Sequence, residues 1–367
     1  MPPTVPVAAL QPAPELRVPD GPVTELGETD LALIEALQLR PRAPWSQIAA
    51  VIGIDATTAA RRWRRLTESG TAWMTAYPTH YVTVVGYVDL ACEAGAVDRV
   101  TARIRRWGPV FSLERTTGEH QLFLSVAARD LTALDDLVTR RLGGLAGVRS
   151  VRLSVCTEVH REGSGWLVHT LNERQRSDLT VGQRRARPRP GIGPYERDRR
   201  LLEALGVDAR RGHAELARQC GLSETTVRRR LRRMIGNGEV YFRCDLTQRL
   251  AGWPVVATFR IAVPGPGAGA AARALAALPE TRVCSTVTGA DNLLLSVWLR
   301  SPADCPALEE RILRCHPELR ISARDFTLHT DKRMGRLLDR WGRARAHVPM
   351  TAAPEGLLEG DGGAEGL

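Results

Sequence analysis

Five arginines stand within residues 228–233, and Thr225 and Thr226 precede them. Guanidinium forks and hydroxyls are the groups that hold phosphates and read base edges in a DNA groove. Their spacing sorts them. At about 100° per residue on a helix, Val227, Leu231 and Met234 share one side, and Thr225, Arg229 and Arg232 lie opposite. Arg228 and Arg233 flank that polar side. An earlier segment repeats the pattern, with Ala59, Trp63 and Leu66 on one side, Thr57, Arg61 and Arg64 on the other, and Arg65 beside them. A solvated arginine-rich helix is the competing reading, since Lys332 is the only lysine among 51 basic residues. Yet so dense a cluster repels itself unless an anion neutralises it. The expected DNA contacts are Thr57, Thr58, Arg61, Arg64 and Arg65, then Ser223, Thr225, Thr226, Arg228, Arg229, Arg232 and Arg233.

Such a helix needs elements that present it. Leu33, Ile34 and Leu37 have helical spacing, with Asp30 or Thr29 as the expected cap. A short helix over 45–52 stops at Gly53, and Asp55 then caps the helix carrying Arg61. The second segment follows suit, with a helix over 213–220, then Gly221, then a Ser223 cap. Two short helices joined by a glycine turn are the helix-turn-helix pattern.

The likeness extends along the chain. Asp30 to Leu37 matches Asp198 to Leu205, and Ile48-Ala49, Gly53, Arg61-Arg62 and Gly70 recur 168 residues on. Further along, Thr117-Gly118 falls on Thr288-Gly289 at an offset of 171. A period so long indicates a duplicated two-domain unit, not a solenoid. After each helical unit the periodicity turns to strand, helix, strand, strand, helix, strand. This is the ferredoxin-like βαββαβ order, and its open sheet face seeks a partner. The expected fold class is therefore α+β: two copies of a winged helix-turn-helix, each followed by a ferredoxin-like domain. The boundaries read as a disordered tail over 1–28, helix-turn-helix 29–76 and ferredoxin-like domain 77–160. An Arg/Pro-rich linker over 161–194 leads to helix-turn-helix 195–243 and ferredoxin-like domain 244–333, and a disordered tail covers 340–367.

Composition bounds the alternatives. The formal net charge is +10, and residues 30–75, 198–243 and 170–194 contribute +2, +5 and +4 of it. The excess sits where DNA contacts are expected. The seven cysteines are odd in number and hold no C-x-x-C pair, which disfavours a disulfide framework or a zinc finger. No apolar run reaches the roughly 18–20 residues of a membrane helix, and no signal peptide opens the chain. A cytoplasmic, nucleoid-associated protein without cofactor, metal or membrane partner is expected.

The run Glu215-Leu216-Ala217, Gly221-Leu222-Ser223-Glu224-Thr225-Thr226-Val227-Arg228-Arg229-Arg230-Leu231, then Asn237-Gly238-Glu239-Val240, resembles the Lrp/AsnC family of bacterial transcriptional regulators. Thr117-Gly118-Glu119-His120-Gln121 and Thr288-Gly289-Ala290-Asp291-Asn292 look like that family's glycine hairpin. The resemblance implies a non-enzymatic, sequence-specific regulator of double-stranded DNA, fused as a pseudo-dimer on an imperfect palindrome. It also implies homo-oligomers through the ferredoxin-like domains, and a small amino-acid-like effector near Gly118, Glu119, Gly289 and Asp291. Glu119 and Gln121, and Ala290 and Asn292, stand where the family has two aspartates, and a plain hairpin turn is the other reading of both glycines. Two further functions compete. Siroheme decarboxylases resemble the same architecture, and His120, Arg115 and Arg282 would then surround the hairpins. A low-specificity architectural DNA-binding protein is the other.

Overall fold

The computed structural model describes residues 26–78, 84–181 and 195–351. The first half begins with three helices, α1 (Glu28–Leu39), α2 (Trp45–Ile52) and α3 (Ala56–Glu68), and a strand, β1 (Ala72–Pro78). Then come β2 (Val84–Cys92), α4 (Val97–Ile104), β3 (Val110–Thr116), β4 (Leu122–Ala128), α5 (Leu131–Asp135, continuing as a π-helical turn over Asp136–Leu142) and β5 (Val148–Arg161). After α6 (Glu173–Thr180) the second half runs α7 (Tyr195–Val207), α8 (His213–Cys220), α9 (Glu224–Gly236) and β6 (Val240–Leu246). It goes on through β7 (Val255–Ala262), α10 (Ala268–Ala276), β8 (Thr281–Val287), β9 (Leu293–Leu299), α11 (Asp304–Cys315) and β10 (Arg320–Arg333). Two short strands, β11 (Arg336–Leu338) and β12 (Ala344–His347), follow.

Each βαββαβ sheet carries its helices on one face, over separate cores built around Leu90, Leu113 and Leu124 and around Phe259, Leu295 and Val297. The other faces meet, and Tyr87, Phe123, Val287 and Leu294 are buried between them. Closure comes from β5 and β10, each 14 residues long. The first part of β5 pairs with β2 and its end with β8. The first part of β10 pairs with β7 and its end with β3. Eight strands thus form a ring (β10-β3-β4-β2-β5-β8-β9-β7) without an unpaired edge. Asp89 and Arg260, both buried, bridge the two sheets at 2.5 Å, and Arg152 joins Asp89 at 3.0 Å.

The two helical units share one core, in which Leu33, Leu37, Trp63 and Met74 meet Leu201, Leu205, Leu231 and Cys244. Below it β1 and β6 form a two-stranded antiparallel ribbon. Thr75 pairs with Arg243, its own counterpart 168 residues on, so a pseudo-two-fold axis passes through that pair. Two arginines lock the units reciprocally. Arg42 donates to the carbonyls of Ala209 and Arg211, and Arg210 donates to those of Pro41 and Ala43.

Three sequence expectations need correction. Residues 161–181 are not a bare linker: Trp166, Leu171 and Leu179 are buried against the helical units, and α6 opens with a capping box between Asn172 and Gln175. Residues 340–351 are not a disordered tail. Asp339 holds Arg343 and Arg345, and Ala344 donates to the Gly70 carbonyl, so the segment straps the first helical unit. A Cβ on Gly70 would lie 2.3 Å from the Ala344 oxygen, and its φ of +67° also requires glycine. Asp30 does not cap α1, which Gly27 precedes without a side-chain cap; Asp30 lies inside the first turn and is buried. The proposed tails over 1–25 and 352–367, and the arginines at 184–189, lie outside the described residues.

Candidate nucleic-acid interface

The α2–α3 and α8–α9 turns take the same geometry for the same reason. Gly53 and Gly221 stand at φ 75° and 66°, and a Cβ at either would meet nothing within 4 Å. Backbone conformation, not crowding, demands glycine there. The next helix is then capped. The Thr58 amide donates to Asp55 Oδ1 at 2.8 Å, and the Thr226 amide donates to Ser223 Oγ at 3.2 Å. Hydrogen bonds from Thr58 hold the Asp55 carboxyl below the ordinary aspartate range. Ser223 and Thr226 also bond through their hydroxyls at 2.8 Å, so both serve the cap.

The apolar seams lie where the spacing places them. Ala59, Trp63 and Leu66 in α3 and Val227, Leu231 and Met234 in α9 are buried. Thr57, Arg61 and Arg64, and Thr225, Arg229 and Arg232, are exposed on the far faces. Arg64 approaches Glu68 only at 3.9 Å, and Arg228 pairs with Glu224 at 2.9 Å. No carboxylate lies within 4.0 Å of Arg61, Arg229 or Arg232 among the described residues. Their guanidinium groups are open to an anion.

Arg65 and Arg233 have another task. Asp30 accepts from Arg62 at 3.0 Å and from Arg65 at 2.8 Å. Asp198 accepts from Arg230 at 3.2 Å and from Arg233. One buried carboxylate in the first helix of each unit thus holds two arginines of its third helix and fixes how that helix projects. Arg65 and Arg233 are correspondingly less available to DNA than the spacing suggests. The clamps, and the Arg42–Arg210 lock, escaped the sequence reading. Their signal was present: all of these residues recur at an offset of 168.

The hairpin residues serve a different contact. The Thr117 amide and hydroxyl bond Phe326 of β10, and those of Thr288 bond Val155 of β5. Each hairpin is tied to the last strand of the other unit. A Cβ on Gly118 would lie 2.2 Å from Asp325 Oδ1, while Gly289 takes φ 114°. Asp291 accepts from Ser322 at 2.5 Å, and Glu119 is exposed. A cavity beside Arg333 and another beside His347 touch neither hairpin. Nor do His120, Arg115 and Arg282 gather. Arg115 is held by Asp98 and Asp331. Arg282 is buried on Asp245 at 2.5 Å, and burial and Arg243 lower its pKa to about 9. Among the described residues no three His, Cys, Asp or Glu side chains gather as a metal site, and no helix is long and apolar enough to cross a membrane.

Comparison with known proteins fits this geometry. The AsnC-type helix-turn-helix domain matches residues 26–67 and 196–235, and the Lrp/AsnC ligand binding domain matches 86–166. An uncharacterised HTH-type transcriptional regulator of Pyrococcus furiosus is 30% identical over 143 residues, 38% of this chain and 96% of that protein. The HTH-type transcriptional regulator LrpA of Pyrococcus horikoshii is 27% identical over 140 residues, 36% of this chain and 97% of the relative. The crystal structure of the siroheme decarboxylase NirDL is similar with a TM-score of 0.54 over 84% of this chain and 93% of that one. At 15% identity that likeness is one of fold. With its two helix-turn-helix units and its regulator relatives, the chain belongs to the Lrp/AsnC family of transcriptional regulators.

Proposed function

We propose that the chain arose by duplication of a two-domain unit and works as a fused pseudo-dimer. It sets α3 and α9 into successive major-groove segments of one imperfectly palindromic operator. The observation that carries this reading is the pair of outward faces, Thr57, Arg61 and Arg64 against Thr225, Arg229 and Arg232. Their apolar backs are buried in one shared core. Thr225 and Arg229 stand near the start of α9, where base edges come within reach, and Arg232 reaches phosphate. The reciprocal Arg42 and Arg210 bonds fix the two units relative to each other, so half-site spacing is fixed as well. Inserting about 5 base pairs, half a helical turn, between the half-sites should abolish high-affinity binding. Equal affinity for random DNA would instead make the chain a low-specificity architectural protein. Genome-wide mapping of bound sites, followed by anisotropy titrations on wild-type and spacer-altered operators, decides between them.

A small effector near Gly118, Glu119, Gly289 and Asp291 would act on the threonine ties between hairpins and opposite strands. Further association of chains would use helical faces, because the strand ring closes its own edges within one chain. Leu131 on α5 and Leu313 on α11 are 63% and 38% exposed there.

A further inference from the structure

β5 and β10 each end on an arginine followed two residues later by glycine, and the two arginines differ in what they hold. Arg161 is met by backbone carbonyls, those of Ala276 at 2.7 Å, Leu278 at 3.1 Å and Gly165 at 3.3 Å. Arg333 is 8% exposed, and only its Nη2 finds acceptors, Gln248 Oε1 at 2.6 Å and Thr330 Oγ1 at 3.5 Å. No carboxylate lies within 4.0 Å of it among the described residues. It lines a cavity of about 40 Å³ between β10, the residues after β6 and the C-terminal strap. Arg249 and Arg340 line the same cavity, also without a carboxylate within 4.0 Å, and no Asp or Glu is among the lining residues. By contrast, nearby Arg343 and Arg345 are both neutralised by Asp339.

Asp245, already held by Arg243 and Arg282, and Glu114 act on Arg333 from beyond salt-bridge distance. Neither lines the cavity, so the cavity itself presents three guanidinium groups and no carboxylate, a surface that favours an anion. The volume holds a few water molecules, hence the head of a small anion but not a whole ring. Pro254, Leu338 and Trp341 line the cavity beside the arginines, which suits an apolar body attached to that head. We infer that this cavity binds the carboxylate of a small organic acid, held by Arg333 from below and by Arg249 and Arg340 at the rim. The site is separate from both hairpins, and its binding needs no DNA. Because Thr247 and Gln248 follow directly on β6, an occupant would touch the base of the ribbon.

The test is calorimetric titration of the full chain, without DNA, with acetate, malonate and sulfate at constant ionic strength. Saturable binding of acetate or malonate at one per chain is expected. Arg340→Ala, an exposed rim change that leaves the core intact, should weaken it by about tenfold. Arg229→Ala/Arg232→Ala should leave it unchanged. Three outcomes would overturn the inference: no saturable carboxylate binding, binding of sulfate alone, or loss of binding in the Arg229/Arg232 variant with retention in Arg340→Ala.

Discussion

The two strands of the ribbon pair residue for residue about one axis, yet they bury different chemistry. β6 carries Arg243 and Asp245, and Asp245 holds Arg243 at 2.6 Å and Arg282 of β8 at 2.5 Å. Burial alone would raise the Asp245 carboxyl, but Arg243 and Arg282 hold it below the ordinary range. At the matching positions β1 carries Thr75 and Tyr77. Thr75 donates to the Gly206 carbonyl at 2.9 Å and Tyr77 to Glu162 at 2.7 Å. The second helical unit is therefore seated on its α/β unit by a buried ion cluster. The first has no such cluster: Tyr77 gives one hydroxyl bond to Glu162, Thr75 bonds α7 of the other helical unit, and Arg336 of β11 donates to the Met74 and Val207 carbonyls. A repeated backbone preserves the symmetry of the pairing while each copy settles its own way of being held.

The sharpest way to break this comparison is Asp245→Asn beside Tyr77→Phe. Removing the charge leaves two buried guanidinium groups without their counter-ion, and the expected loss is about 3–5 kcal/mol. Removing one hydroxyl should cost about 1–2 kcal/mol. Urea unfolding measures both, and equal losses would mean that the cluster adds nothing over a single hydroxyl–carboxylate hydrogen bond.

The next contrast lies at the strand ends, where β10 carries Lys332 and β5 carries His160, each one residue before the terminal arginine. Lys332 is fully buried, donates to the Trp107 carbonyl at 2.8 Å, and is pushed down by burial to about 7. Its folded pKa lies below its unfolded one, so the unfolded chain binds more protons between them. Stability should rise from about pH 7 to pH 10, with a slope from this group of at most about 1.4 kcal/mol per pH unit. Lys332→Met should flatten that rise. An unchanged profile of Tm against pH would remove Lys332 as its source.

On the proposed DNA-contacting faces α3 and α9 differ in charge, and α9 should dominate. Arg229→Ala/Arg232→Ala should weaken operator binding about 10–100-fold and lower the salt slope by about one unit per lost phosphate contact. Arg61→Ala/Arg64→Ala should cost less, because Arg64 already approaches Glu68. Equal losses in anisotropy titrations would make the two readers equivalent.

Much of this was legible in the sequence because helix and strand periods are local. The limits of α2 and α8, the strand–helix order of both βαββαβ units, the caps Asp55 and Ser223, and the buried seams of α3 and α9 follow from residue spacing alone. What escaped is non-local. β1 and β6 are short strands defined only by each other, and nothing in 72–78 announces a partner 168 residues away. Residues 161–181 and 340–351 read as linker and tail because they hold few apolar residues, yet Trp166 and Ala344 complete cores made by other segments. Asp30 lay on the page as a cap candidate. Its burial depends on Arg62 and Arg65 folding back from 32 and 35 residues downstream.

The smallest expected difference lies in the caps, and pH separates them. Asp55 and Ser223 occupy the same position and accept from the amide three residues on. Ser223→Ala should cost about 0.5–2 kcal/mol at every pH, since a hydroxyl does not titrate in this range. Asp55 differs, because its folded pKa is depressed by Thr58. Its contribution is present above the unfolded aspartate pKa and is lost as pH falls through the folded one. At neutral pH Asp55→Ala should therefore destabilise, whereas in acid the variant and the parent should converge. Asp55→Ser carries the second copy's cap into the first, and should keep the neutral-pH stability while abolishing the acid dependence. If Asp55→Ser and the parent lose stability in parallel below pH 4, the acid sensitivity lies in the buried carboxylates, such as Asp245, and not in the cap.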